Sequence, residues 1–151
     1  MKFSLLTLVF FSLSFVTSAY SNPKTTAMEL GKAKYLMCSA CHGMDGKGLQ
    51  ISPGMLMAPA YAESTLVDSP EAFALLLLKG IAKEGADFMG VMAPLEAALN
   101  DEDMAAVMTY VRNTYRGHDD VISPSQVEEW RSKYADRKEP VTRAELQELV
   151  E

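Results

Sequence analysis

The segment that most constrains this chain is Cys38-Ser39-Ala40-Cys41-His42, which holds both cysteines of the sequence and one of its two histidines. A disulfide between Cys38 and Cys41 would close only a very short loop. Because such a bridge removes little entropy from the unfolded chain, it would add little stability. The two thiols and the neighbouring imidazole therefore indicate chemistry rather than a structural cross-link.

The spacing of these side chains is C-x-x-C-H, the attachment pattern of c-type haem. Two thiols three residues apart near the end of a helix can each bond to one vinyl group on the same porphyrin edge. The next side chain, His42, then follows in position to bind the iron through Nε2. The pattern predicts one covalently bound haem c, anchored by Cys38 and Cys41, with His42 as the proximal iron ligand.

Two other uses of the cysteine pair fit the sequence less well. A thioredoxin-like redox pair would need a βαβ sheet, whereas these cysteines follow a helical pattern and no strand is evident. A structural zinc site would need four ligands, and beyond the C-x-x-C-H segment only His118 is available. His118 lies in a polar loop, where a solvated side chain is expected.

Residues 1–21 have the pattern of a secretory signal peptide. A positive charge at Lys2 precedes an apolar run over 3–16, and small residues then predict cleavage after Ala19 or Ser21. The run is shorter than the roughly 20 residues of a spanning helix, so retention as a membrane anchor is the less favoured alternative. We expect export to the periplasm of a bacterium and no membrane span after cleavage.

The charge of the chain restricts its partners. With 14 basic and 20 acidic side chains, the net charge is −6 at pH 7. An acidic surface disfavours nucleic acid and anionic lipid, and it favours steering toward a basic protein partner.

Apolar periodicity and capping residues predict an all-α protein with long loops. We expect core helices over 25–38, 69–80 and 100–117, and no strand. The long loop over 43–66 is rich in Gly, Pro, Ser and Met. A loop of that length inside a small domain is expected to wrap around a bound group.

A polar extension follows the last core helix and carries two further helix signals. Ser123-Pro124 begins one, and Thr142 to Glu145 forms a capping box for the other. The face that includes Trp130 is expected to cover the protein's own surface rather than to anchor a partner. The predicted division is a signal peptide at 1–21, a haem domain at 22–117 and a C-terminal helical extension at 118–151.

A haem iron bound by one histidine needs a second axial ligand or has an open site. The chain contains ten methionines, and those on predicted helices are assigned to packing. Met1 and Met44 are poor candidates by position. The remaining candidates are Met55 and Met57 in the loop over 43–66, and Met89 and Met92 in a second loop over 82–94. The residues alone leave this choice open.

Two segments carry a resemblance to a known family. "ELGKAKYLMCSACHGMDGKG" is similar to the first helix and haem-binding loop of the class I cytochromes c, and "GVMAPLEAALNDEDMAAVMTYVRN" resembles the segment that leads into their last helix. The resemblance covers about residues 25–117. It implies the cytochrome c fold, with three to four core helices and long loops around one haem, here followed by the helical extension.

The resemblance also implies the roles of single residues. Met92 matches the distal iron ligand, with Met89 as runner-up, although Ala93 stands where the family commonly has proline. Pro59, or Pro53 as second choice, matches the proline whose carbonyl accepts a hydrogen bond from the proximal histidine.

Two further features concern packing around the haem. Gly31 and Tyr110 match the pair that meets where the first and last helices of the family cross. The apolar lining of the haem pocket is expected from residues 75–78, Met108, Val111 and the loop methionines.

The implied function is one-electron transfer by a His/Met-ligated haem c, and not enzymatic turnover. We expect a periplasmic carrier, monomeric or in transient complexes, between a dehydrogenase donor and an oxidase or another cytochrome as acceptor. One alternative is a haem subunit fixed to a dehydrogenase complex through the extension. The other is a haem enzyme or gas sensor with an open distal site.

Overall fold

The computed structural model describes residues 22–83 and 90–151. The predicted signal peptide and Met89 therefore lie outside the described residues. The described α-helices are α1 (Pro23–Lys34), α2 (Leu36–His42), α3 (Pro70–Lys79), α4 (Asp101–Arg116), α5 (Pro124–Lys133) and α6 (Arg143–Glu148). Two 3₁₀ turns, Tyr61–Glu63 and Thr65–Val67, and a hairpin of β1 (Gln50–Ser52) and β2 (Met55–Leu56) lie between α2 and α3.

The predicted helical class is confirmed, and so are the boundaries of the two central helices. The Ser69 side chain accepts a hydrogen bond from the Ala72 N–H at the start of α3, and Gly80 ends that helix. Asn100 caps α4 through the Asp103 N–H, and Gly117 ends it in the left-handed conformation. Both extension helices begin at the predicted residues, Ser123 and Thr142. The capping box predicted at Thr142 is present, and Ser123 forms a second one with Gln126.

The N-terminal helix differs from the prediction at both ends. It begins earlier, because Asn22 caps it through the Lys24 N–H and Pro23 occupies its first position. It also does not stop near Cys38. After a break at Tyr35 the chain continues as α2 to His42, so the whole C-x-x-C-H segment is helical.

The predicted absence of strands is wrong within the first loop. Residues 50–56 form a short antiparallel hairpin, with Gly54 at a φ of 76° in its turn. The three residues of β1 are all exposed, so neither apolar alternation nor burial marks this hairpin in the sequence.

A close crossing of α1 and α4 at Gly31 fixes the relation of the two helices. A Cβ atom at Gly31 would overlap the Ala106 carbonyl oxygen and lie 2.7 Å from Tyr110 Cβ. Only glycine allows this approach of the two backbones. The predicted contact between Gly31 and Tyr110 is therefore confirmed. One turn later, Tyr35 is fully buried, with its ring centroid 5.4 Å from that of Tyr110.

The extension at 118–151 folds back on the other helices. Val127 of α5 and Leu146 of α6 are fully buried. Trp130 packs against the main core cluster, which confirms that its face covers the protein's own surface. At the far end, Ser69 Oγ donates a hydrogen bond of 2.9 Å to the Leu149 carbonyl. The extension is thus attached to α3 by side-chain burial and by hydrogen bonds.

Gly31→Ala should destabilise the protein by about 1–3 kcal/mol, because the added methyl group has no space at the helix crossing. At an open helical position the same change would instead stabilise by roughly 1 kcal/mol. Urea unfolding measures the difference. Lys32→Ala, at the next and exposed position, is the control and should change stability by no more than about 0.5 kcal/mol. A Gly31→Ala protein as stable as the wild type would contradict the close crossing.

Candidate functional site

A cavity of about 250 Å³ lies between α2, the first loop, α3 and the segment that precedes α4. Its lining is largely apolar. Buried or half-buried side chains from several elements contribute to it, including Leu66, Val67, Phe73, Leu76, Leu77 and Val107. Such a cavity with a few polar groups is the usual form of a cofactor site.

The structure brings most of the predicted site residues together at this cavity. Cys38, Cys41 and His42 line it from α2, Pro59 lines it from the first loop, and Met92 lines it from the second. The runner-up Met89 lies outside the described residues. The second choice for the proline, Pro53, is exposed at the hairpin turn and is not part of the lining.

The two thiols lie one turn apart on α2 and are both free. Residues three apart on a helix share a face, so both sulfur atoms can reach one edge of a bound group. Cys38 is half-buried and Cys41 is exposed. Burial, with a smaller contribution from Cys41, raises the pKa of the Cys38 thiol to about 11. Cys38 is therefore protonated at neutral pH, as expected of a thiol in an apolar site.

His42 is held as a neutral imidazole. Burial lowers its pKa to about 4, although the Pro59 carbonyl acts in the opposite direction. A neutral ring has a nitrogen lone pair available for a metal. Its Nδ1 atom is buried, and its partner in raising the pKa is the backbone of Pro59, although the pair does not meet strict hydrogen-bond geometry.

Three tyrosines hold the end of α2, and one of them, Tyr61, packs directly against His42. The Tyr61 ring stacks on the imidazole with centroids 4.5 Å apart and planes 13° apart, and Tyr115 stacks on Tyr61. The Tyr35 hydroxyl donates to the Gly43 carbonyl at 2.7 Å, and the Tyr115 hydroxyl donates to the Met44 carbonyl at 2.9 Å. These bonds anchor the backbone directly after His42. Tyr61 was not predicted as a site residue, because the loop over 43–66 has no periodic pattern that would mark one of its residues as buried.

The Met92 segment is held by backbone hydrogen bonds to the chain after α3. The Met92 N–H donates to the Ile81 carbonyl at 3.0 Å, and the Ile81 N–H donates to the Met92 carbonyl at 2.9 Å. Gly80, at a φ of 67°, makes this approach possible, since a Cβ there would lie 2.7 Å from the Pro94 nitrogen. The segment is thus fixed although Ala93 stands at the position where proline was expected.

The C-terminal extension also binds the chain after α3, a contact that was not predicted from the sequence. The Val141 N–H donates to the Gly80 carbonyl at 3.0 Å, and Ile81 pairs with Val141 on one side and with Met92 on the other. Arg143, two residues later, lines the cavity. The capping box at Thr142 predicted the first residue of α6. It did not predict which residues that end of the helix contacts.

The predicted lining is correct only in part. Leu76 and Leu77 line the cavity, whereas Leu75 and Leu78 are buried in core clusters. Successive helical residues point in different directions, so four leucines in a row cannot all face one cavity. The prediction was also wrong for Met108 and Val111, which are fully buried in the main core and absent from the lining; Val107 occupies that place.

His118 lies away from the cavity lining. Its Nε2 atom is 2.7 Å from Asp68 Oδ1, and Arg116 also pairs with that carboxylate. The hydrogen bonds from Arg116, more than those from His118, lower the pKa of Asp68 to about 2. His118 is therefore half-buried and hydrogen-bonded rather than fully solvated. Within 22–83 and 90–151, no three His, Cys, Asp or Glu side chains are grouped to hold a metal ion.

The cavity residues match a family defined by its cofactor. The family model for cytochrome c matches residues 28–115. This chain belongs to the cytochrome c family. The resemblance to class I c-type cytochromes and the predicted cytochrome c fold are thereby confirmed. Family membership implies a covalently bound haem c and electron transfer with redox partners.

A shorter similarity concerns a respiratory protein. A stretch of 24 residues is 67% identical to the cbb3-type cytochrome c oxidase subunit CcoP of Rubrivivax gelatinosus. It covers 16% of this chain and 8% of that subunit, so the chain spans only a small part of the relative's length. None of the helices described for this cytochrome c is long and apolar enough to cross a membrane.

The donor set at the cavity fits a covalent haem c. Two free thiols share one helix face, and a neutral imidazole follows them directly. A methionine thioether reaches the same apolar space from the other loop. The Nδ1 atom of His42 is buried, and the Pro59 backbone acts on the same imidazole ring.

Val141→Pro should loosen the Met92 segment, because proline removes the N–H that binds the Gly80 carbonyl. Hydrogen exchange at the Ile81 and Met92 amides should become at least about fivefold faster, since one hydrogen bond contributes on the order of 1 kcal/mol. Val141→Ala is the matched control, since it loses packing but keeps the donor. Equal exchange rates in the two variants would show that the hydrogen bond does not hold the segment.

Proposed function

We propose that this cytochrome c is a periplasmic one-electron carrier with one haem c, covalently bound to Cys38 and Cys41. The observation that carries the proposal is the meeting of both thiols, the His42 imidazole and the Met92 side chain at one apolar cavity. His42 would bind the iron through Nε2, and Met92 would bind it through its thioether sulfur. When bound, the haem supplies a ferric/ferrous couple that takes up and releases one electron.

The protein's part is to hold the ligands and to exclude water. The α1–α4 crossing and the tyrosines beside His42 limit movement of the proximal side. The pairing of Ile81 with Met92 limits movement of the distal side. When the ligands stay in place, little of the site has to rearrange as the iron gains or loses an electron. A thioether ligand and burial of the haem both favour the ferrous state. The Pro59 carbonyl would fix the imidazole by accepting its Nδ1–H.

Electrons would enter and leave beside the exposed Cys41. Exposed apolar side chains lie at both ends of α2: Leu36 at its first position is 61% exposed, and Met44, just after its last, is 54% exposed. The acidic net charge supports steering toward basic partners. We assign a dehydrogenase as donor and an oxidase or another cytochrome as acceptor, in brief complexes of the protein as a monomer. The short identity to an oxidase subunit supports an oxidase among these partners.

Haem should stay with the polypeptide on a denaturing gel after expression in a periplasm that matures c-type cytochromes. A variant with both Cys38→Ser and Cys41→Ser should lose the haem stain, because no thioether bond can form. Ser39→Ala, between the two cysteines, is the control and should keep it. A wild-type protein without covalent haem under these conditions would overturn the proposal.

Met92→Ala should abolish the methionine-to-iron charge-transfer band of the oxidised protein. Met57 lines the same cavity, so Met57→Ala is the matched control and should retain the band. A band that persists in Met92→Ala would assign the sixth ligand to another residue. A high-spin spectrum of the wild type, with rapid carbon monoxide binding after reduction, would instead support the open-site enzyme or sensor.

A further inference from the structure

Arg143 brings a charged side chain to the cavity. Among the described residues that line it, no other has a side chain with a formal charge, since His42 is neutral and no Asp or Glu is present. The Nε atom of Arg143 is buried. Arg143 belongs to α6, beyond the range that the cytochrome c family model matches. It is thus an addition that this chain makes to the site.

The expected cofactor has groups of the opposite charge to Arg143. A haem has two propionate groups, and a carboxylate withdrawn from water needs cationic or hydrogen-bonding partners. A guanidinium group matches a carboxylate with two parallel hydrogen bonds. We propose that Arg143 binds a propionate carboxylate of the haem. This inference rests on the proposed function, because it requires the haem to occupy this cavity.

The backbone around Arg143 is firmly held. The Thr142 N–H donates to Glu145 Oε2 at 2.7 Å, and the Glu145 N–H donates to Thr142 Oγ1 at 3.2 Å. The same carboxylate forms an ion pair of 3.0 Å with Arg137, which further holds the first turn of α6. Buried side chains on either side, Val141 and Leu146, fix the start of α6 against α3. The backbone that carries the Arg143 side chain is therefore rigid.

The charge of Arg143 should act on the redox equilibrium. A positive charge near the iron stabilises the ferrous form, which carries one positive charge less than the ferric form. It also stabilises the ionised propionate, so that this carboxyl group binds a proton only at lower pH. Removal of the charge should lower the reduction potential and move the propionate-linked change of potential to higher pH.

Spectroelectrochemical titration of the haem-loaded protein at several pH values tests this proposal. Arg143→Gln and Arg143→Ala should each shift the ferric/ferrous equilibrium by about threefold to tenfold toward the ferric form. A tenfold shift corresponds to about 59 mV for a one-electron couple. Arg143→Lys should restore most of the potential. Lys138→Gln removes the same charge at an exposed site of the extension and should leave the potential and its pH profile unchanged.

The outcomes separate this inference from the proposed function. Haem-loaded neutral variants with the wild-type potential and pH profile would overturn the role of Arg143 and leave the electron carrier intact. Equal shifts in Arg143→Gln and Lys138→Gln would overturn it too, since they would reflect net charge alone. A wild-type chain without covalent haem would overturn the proposed function itself. Two neutral variants are compared so that the result does not depend on one of them folding.

Discussion

The close approach of α1 and α4 at Gly31 is the contact on which the rest of the structure depends. Any side chain there would separate the two helices. Because α2 continues from α1 after Tyr35, a wider spacing would carry the whole C-x-x-C-H segment away from α4 and α3. The side of the cavity that Cys38, Cys41 and His42 line is therefore positioned by a backbone contact that lies outside the cavity.

The side of the cavity that Met92 lines depends on the C-terminal extension, which contacts α3 at both of its ends. Ser69 at the start of that helix binds the Leu149 carbonyl, and the Gly80 carbonyl at its end accepts from Val141. Arg131 connects the extension to the start of α4 through Asp101. The family match ends before the extension begins. Part of the support of the Met92 segment thus comes from residues beyond the range that the family model matches.

Much of the fold could be predicted because its signals are local. Ser69, Gly80, Asn100 and Gly117 act on neighbouring backbone groups, so the ends of α3 and α4 follow from a few residues. The start of α1 was predicted at residue 25, whereas Asn22 caps the helix and Pro23 occupies its first position. The Val141 N–H reaches the Gly80 carbonyl across more than fifty residues of sequence, and Arg143 lies at the cavity two residues later. Contacts between residues so far apart leave no local pattern in the sequence, so only the structure shows them.

The position of Trp130 has a consequence for optical work on this protein. It is the only tryptophan of the chain, and it lies on α5 against the main core. Release of the extension would move the indole into water, and its emission would shift to the red. A haem in the nearby cavity would quench that emission by energy transfer. The natural sequence therefore contains one fluorophore that reports on both the docking of the extension and the presence of the cofactor.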